Sequence, residues 1–80
     1  MRLDKFLKVS RLIKRRTVAK EACEGQKIFL NGKASKPGAE VKVGDIIEIA
    51  YGDRKIKAEV LNINEKAGKD EAREMYKIIE

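Results

Sequence analysis

The sequence contains no histidine and no tryptophan, and it has only one cysteine and one proline in 80 residues. Without histidine, and with Cys23 as the only thiol, the chain lacks the nucleophile and base pairs of most enzymes and the clustered ligands of a zinc site. A single cysteine also excludes an internal disulfide, which suits a reducing compartment. We therefore expect no catalytic residue, no metal and no cofactor, and we place Cys23 in the core.

Long apolar runs are also missing. No apolar stretch approaches the roughly 20 residues that cross a bilayer, and the start, "MRLDKFLKVSRLIKRR", lacks the unbroken apolar middle of a secretory signal. Membrane-surface binding would need large apolar side chains beside the cations, and so small a domain needs these for its core. These absences predict a cytoplasmic protein that does not bind membranes. The length of 80 residues predicts one small domain.

Positive charge is abundant and unevenly placed. The chain carries a net charge of +6, yet residues 1–20 alone carry +7, because eight Lys and Arg residues there accompany one acid, Asp4. Such segregation costs self-repulsion in the folded state, and a polyanionic partner would compensate it. The eight cations are Arg2, Lys5, Lys8, Arg11, Lys14, Arg15, Arg16 and Lys20.

The periodicity of the apolar residues predicts two helices followed by a small sheet. Helical spacing indicates helices at about 3–9 and 18–24, the second with Thr17 as its N-cap and Gly25 as its stop. Asn31-Gly32 predicts a two-residue hairpin, because type I′ turns need positive φ at both central positions. Further strands are expected at "IIEIAY" and in "KIKAEVLNI". From Glu65 the spacing is helical again, which predicts a helical tail packed on the domain, with one apolar stripe formed by Ala72, Met75, Tyr76 and Ile79.

The cations converge on two places where phosphates could be held: the first helix, and the basic run that leads into the second. A helix N-terminus offers free N–H donors, and the planar donor forks of Arg15 and Arg16 match phosphate oxygens. The few aromatic residues are dispersed, which favours structured RNA read by shape over stacking on single strands. Charge alone fits DNA as well.

The segments "RLDKFLKVSRLIKRRTVAKEACEGQKIFLNGK" and "VKVGDIIEI" resemble the RNA-binding domain named after ribosomal small-subunit protein S-four, over about residues 1–50. The resemblance implies an α+β fold, with two N-terminal helices on a mostly antiparallel sheet of four or five strands (the alpha-L motif). We expect this domain at 1–64 and the helical tail at 65–80. It also implies that Asp4 orients Arg2 or Lys8, and that RNA is contacted by Arg2, Lys5, Lys8, Arg11, Arg15, Arg16 and Lys20.

The first seventeen residues, the length and the tail with "EMYKI" resemble a free-standing bacterial family of this type. This is the RqcP family of ribosome-associated quality control, which is related to the heat-shock protein of about fifteen kilodaltons. The resemblance implies a non-catalytic, monomeric factor that binds rRNA and P-site peptidyl-tRNA on the obstructed large ribosomal subunit and supports alanine tailing with RqcH. The alternatives are a protein-protein adaptor, a general ribosome-binding or tRNA-binding heat-shock factor, and a fragment of an RNA-modifying enzyme.

Overall fold

The computed structural model describes residues 1–79. Five antiparallel strands form one sheet in the order β2-β1-β3-β4-β5, and the helices α1 and α2 pack against each other beside it. The predicted fold class is confirmed. The elements in chain order are α1 (Leu3–Val9), α2 (Arg16–Glu24), β1 (Ile28–Leu30), β2 (Lys33–Ala34), β3 (Ile46–Tyr51), β4 (Arg54–Val60), α3 (Lys69–Ala72) and β5 (Tyr76–Ile78).

Helix α1 has the predicted bounds and buries Leu3, Phe6 and Leu7 completely. Its spacing of three and four residues places these side chains on one face, toward the sheet. The backbone N–H groups of Leu3 and Asp4 donate to the carbonyl oxygens of Ala39 and Pro37, at 2.8 and 3.1 Å. The loop before β3 therefore supplies hydrogen-bond acceptors for these N–H groups at the start of α1.

Helix α2 ends where Gly25 was predicted to stop it, but it begins earlier than expected. The N-cap is Arg15, in an extended conformation, and the prediction that Thr17 caps the helix is wrong. The Arg15 carbonyl accepts the first helical hydrogen bond, from the N–H of Ala19 at 3.0 Å. Thr17 thus lies inside the first turn, because the packing of Ala19 and Cys23 against α1 outweighs the local capping preference.

The predicted hairpin is confirmed. Asn31 and Gly32 have φ of 52° and 86°, and Leu30 pairs with Lys33 across the two-residue loop. The Asn31 side chain also accepts a hydrogen bond from the N–H of Ile46 at 2.9 Å and donates to Asp45 at 3.1 Å. These bonds tie the hairpin to the start of β3.

The core lies between the helices and one face of the sheet. Successive side chains of a strand alternate between faces, so the register places Ile28, Ile49 and Ile56 together on the inner face. Ile47 and Val60 are buried on that same face, whereas Glu48 is directed outward and half-buried, as predicted. Cys23 is 3% exposed, which confirms its place in the core.

The tail is helical over a shorter stretch than predicted. Only Lys69–Ala72 forms a helix, and Tyr76–Ile78 forms β5, which pairs with β4. Tyr and Ile favour strands, and the edge of β4 offers backbone partners that helical spacing alone does not reveal. The tail does pack on its domain, because Ala72 and Met75 are buried. Glu80, the end of the predicted helix, lies outside the described residues.

Candidate nucleic-acid interface

A buried carboxylate organises the basic face of the helix pair. Asp4, in the first turn of α1, is only 2% exposed. Its carboxylate accepts hydrogen bonds from Arg2 Nε at 3.2 Å and from Arg16 Nε at 3.4 Å. The N–H of Lys5 donates to the same carboxylate at 2.8 Å. A terminal nitrogen of Arg2, Nη2, also donates to the carboxylate at 3.4 Å. Both arginine side chains nevertheless remain about half exposed, at 55% and 47%.

The ionisation of Asp4 is a balance of opposing effects. Burial is the largest single influence and raises its pKa, but hydrogen bonds from Arg2 and Arg16 and the charges of both guanidinium groups outweigh it. The pKa of Asp4 therefore lies below its ordinary value, and the group is ionised at neutral pH. An ionised Asp4 fixes two guanidinium groups, which are planar donors suited to phosphate oxygens.

These residues form a shallow depression that also includes Lys20. Arg2, Asp4, Arg16, Thr17 and Lys20 line it. We call the group of Asp4, Arg2, Arg16 and Lys20 the Asp4 cluster. Because the only acid in the cluster is shielded from solvent while the three cations are exposed, the depression presents positive charge outward.

A second group of cations lies at the other end of α1, where Lys8, Arg11 and Lys14 line a hollow beside Glu65. Arg11 follows the C-cap of α1 and has φ of 64°. Glycine is the usual residue in this left-handed conformation, which disfavours other side chains by about 1–2 kcal/mol. Arg11 is exposed and lines the hollow in this conformation.

Lys5 connects the helix to the tail. Its ammonium group lies 2.6 Å from the carboxylate of Glu65, which is 61% exposed. The hydrogen bond and the charge of Lys5 lower the pKa of Glu65. The pair is accessible to solvent, so it is weak and a polyanion could compete with Glu65 for Lys5.

The structure separates the seven predicted residues into groups. Arg2, Arg16 and Lys20 belong to the Asp4 cluster, and Lys8 and Arg11 to the second hollow. Arg15 is exposed at the N-cap of α2, which has no side-chain cap. Lys5 is held by Glu65, as described above.

Sequence reasoning found part of this arrangement. The prediction that Asp4 orients Arg2 or Lys8 is confirmed for Arg2, and the structure adds Arg16 as a second partner. Lys14 was counted among the cations but not among the RNA-contacting residues, although it lines the second hollow. Lys14 lies three residues after Arg11 in an irregular connection. Side chains follow no regular period there, so the sequence did not indicate which way Lys14 points.

Within residues 1–79, no three His, Cys, Asp or Glu side chains come together as a metal site would require. Likewise, none of the helices formed by these residues has the length and apolar character needed to cross a membrane.

The described residues form two helices with a basic face beside a small antiparallel sheet, which is the architecture expected of an RNA-binding domain of the S-four type. Residues 1–47 match the model of the S4 domain family. The RQC P-site tRNA stabilizing factors of Listeria monocytogenes and Halalkalibacterium halodurans are 54% and 51% identical to this chain, over 99% and 98% of it and 86% and 89% of their own lengths. The chain belongs to the S4 domain family and, within it, to the family of RQC P-site tRNA stabilizing factors.

The solved structures include a related fold from a heat-shock protein. The trimeric structure of Vibrio cholerae heat shock protein 15 is 31% identical, with a TM-score of 0.89 over 99% of this chain and 81% of that one. This likeness extends beyond the family match at residues 1–47, since it includes β4 and β5. The whole described fold is therefore shared with that protein.

Proposed function

We propose that this protein is a non-catalytic, monomeric and cytoplasmic factor that binds the obstructed large ribosomal subunit. In this proposal it contacts rRNA and P-site peptidyl-tRNA, holds the tRNA in place, and so supports alanine tailing of the stalled chain by RqcH. The name of the relatives, RQC P-site tRNA stabilizing factor, supports the tRNA as ligand. In this proposal residues 1–64 bind RNA, and the tail from residue 65 stabilises that domain by packing on it.

The observation that carries the proposal is the Asp4 cluster. One buried carboxylate holds two half-exposed guanidinium groups on neighbouring helices, so their positions are fixed before RNA arrives. Pre-organised donors lose less conformational freedom on binding than free side chains do. The proposed contacts are Arg2, Arg16 and Lys20 of the Asp4 cluster, Lys8 and Arg11 of the second hollow, and in addition Lys5 and Arg15.

The mechanism is electrostatic positioning. Each cation that neutralises a phosphate releases counterions, which gives affinity without reading base sequence. Two separate basic sites on one rigid helix pair can hold two backbone segments, such as an rRNA helix and a tRNA stem, at a fixed distance. Clamping the tRNA in this way requires no chemistry, in keeping with a chain that lacks histidine.

Sedimentation of the protein in bacterial lysate tests the proposal. We expect the wild type to migrate with free large subunits, and the Arg2→Ala, Arg15→Ala, Arg16→Ala triple variant to stay at the top of the gradient. A matched control removes the same charge from exposed positions away from the helix pair, through Lys42→Ala, Lys57→Ala and Lys77→Ala. If both triple variants lost their association with large subunits equally, the loss would follow from net charge alone. That result would contradict the assigned binding face.

Two further measurements separate the alternatives. Association that survives nuclease treatment of the lysate would favour a protein-protein adaptor over RNA binding. In a reconstituted tailing reaction with RqcH and obstructed large subunits, the wild type should increase alanine addition and the arginine triple variant should not. Tailing that is independent of the protein would contradict its role in that step.

A further inference from the structure

A groove lies on the helical side of the sheet, and none of the seven proposed RNA-contacting residues lines it. It has a volume of about 660 Å³ and lies between α2, the connection before it, and the end of β3. Its walls are mainly apolar, and two of its side chains are unusually exposed for their type, Val18 at 42% and Tyr51 at 48%. The apolar and aromatic lining includes Leu12, Ile13, Val18, Ala22, Ile49 and Tyr51.

The lining of this apolar surface carries more positive than negative charge. Among the described residues, Lys14 and Lys27 line the groove together with one acid, Glu21. On its other side Tyr51 lines a second hollow together with Arg54 and Lys55. An exposed aromatic ring among cations is the arrangement by which proteins hold unpaired nucleotides, with the base stacked on the ring and the phosphate on the cations.

The groove is continuous with the basic face described above. Lys14 lines both the groove and the hollow formed with Lys8 and Arg11. A backbone that crosses the helix pair at that hollow would therefore bring its next nucleotide to the groove. A protein partner would need acidic groups to match these lysines, whereas RNA supplies both the negative charge and the flat apolar surface.

We propose that this groove holds one unpaired nucleotide of the bound RNA, with its base stacked on Tyr51 and its phosphate near Lys14 or Lys27. This inference rests on the proposed function, since it extends the same RNA-binding face. It also revises the expectation that dispersed aromatics disfavour stacking. One aromatic side chain is enough for a single base, provided that it is exposed beside cations.

Tyrosine emission offers a direct test, because the chain has no tryptophan and only two tyrosines. The Tyr76→Phe variant leaves Tyr51 as the sole tyrosine, so that tyrosine emission reports on this residue alone. A short single-stranded oligoadenylate should quench its emission by stacking, whereas polyphosphate, which has charge but no base, should bind without comparable quenching. Equal quenching by both probes would overturn the inference.

Affinity provides the second readout. Tyr51→Ala should weaken oligoadenylate binding by about five-fold or more, the effect of losing one stacked base, and leave polyphosphate binding unchanged. Tyr51→Phe should retain the affinity, while Tyr51→Leu, which keeps the apolar bulk, should lose it. Unchanged binding by the folded Tyr51→Ala variant would refute the inference. The inference would also be refuted if Tyr51→Ala changed the molecular mass of the protein measured by sedimentation. Such a change would show that a second copy of the chain covers the groove.

The results distinguish this inference from the proposed function. If the wild type sediments with large subunits but oligoadenylate leaves Tyr51 emission unchanged, the groove inference alone fails. If the protein binds neither large subunits nor oligoadenylate, both fail. If quenching and the loss in Tyr51→Ala occur without subunit binding, the groove stands and only the ribosomal assignment falls.

Discussion

Asp4 and Arg16 are twelve residues apart in the sequence, and their side chains meet at 3.4 Å between the first turns of α1 and α2. Asp4 holds Arg2 at the same time, so one carboxylate sets the positions of two arginines. The ion pair thus has two consequences, one for the stability of the helix pair and one for the geometry of the basic face. These can be measured separately.

The first prediction concerns acid stability. The unfolded chain takes up a proton on Asp4 near the ordinary pKa of about 3.9, and the folded protein does so only at lower pH. The stabilisation is therefore present above that ordinary pKa and is lost as the pH falls through the folded value. We expect Asp4→Asn to be less stable by about 1–3 kcal/mol at neutral pH, with a weaker loss of stability in acid.

Urea unfolding measured from neutral pH down to about pH 2.5 tests this prediction. Glu65, whose pKa is also lowered, remains in the variant, so the acid dependence should shrink without vanishing. Glu74→Gln is the matched control, since Glu74 is exposed and should leave the profile as in the wild type. An Asp4→Asn variant with the full wild-type pH dependence would show that the ion pair contributes nothing to folding.

The second prediction concerns the salt dependence of RNA binding. If roughly five phosphates are contacted, the log-log slope of affinity against salt should be about −3.5 to −4.5. Arg16→Ala should flatten it by about one unit, and Arg16→Lys should not, because the charge is kept. Lys77→Ala, on the outer face of the sheet, serves as the control. An Arg16→Ala slope equal to that of the wild type would mean that Arg16 is merely solvated.

The third prediction concerns the reactivity of Cys23. Burial, and to a lesser degree the charges of Asp4 and Glu24, raise the pKa of its thiol to about 11. Thiolate is the reactive form, so both low access and low ionisation protect the group. Iodoacetamide at neutral pH should label the native protein only as fast as it unfolds, which mass spectrometry can follow.

Two controls define the limits of that labelling experiment. The guanidinium-unfolded protein should react at the rate of a free thiol, and so should a folded Cys23→Ala, Lys33→Cys variant with its thiol on an exposed strand. Labelling of native Cys23 at that same rate would contradict its place in the core. It would also indicate that α2 opens readily from the sheet.

The sequence predicted the features that depend on neighbouring residues. The bounds of α1 follow from apolar spacing, and the hairpin follows from Asn31-Gly32, whose positive φ angles are a local requirement. The predictions were wrong where contacts between residues far apart in the sequence determine the structure. Thr17 has the chemistry of an N-cap, yet α2 begins at Arg16, because its packing against α1 sets the start.

The same distinction applies to the candidate site. The cluster of charge near the N-terminus is visible as composition, but the partners of Asp4 depend on how α1 and α2 are brought together. The tail is a further example, since helical spacing fits Ala72 and Met75 but β5 forms only because β4 offers an edge. Pairing across the sheet has no periodic signal in a segment as short as Tyr76–Ile78.

The fourth prediction concerns whether the tail folds as part of the domain. Met75 is fully buried, whereas Ile78, three residues later, is 54% exposed. Truncating a buried methionine to alanine removes apolar contact and leaves a cavity, at a cost of about 2–5 kcal/mol. We therefore expect Met75→Ala to lower the global urea midpoint strongly, and Ile78→Ala to change stability by about 0.5 kcal/mol or less.

Amide hydrogen exchange in both variants separates a global effect from a local one. The N–H of Ile79 donates to the carbonyl of Lys57, and the N–H of Leu61 donates to that of Met75, so these amides report on the attachment of β5 to β4. If Met75→Ala exposed only these amides and left the exchange of α1 unchanged, the tail would be an independent attachment. Faster exchange in α1 as well would show that Met75 stabilises the same cooperative core that positions Asp4, and hence the basic face.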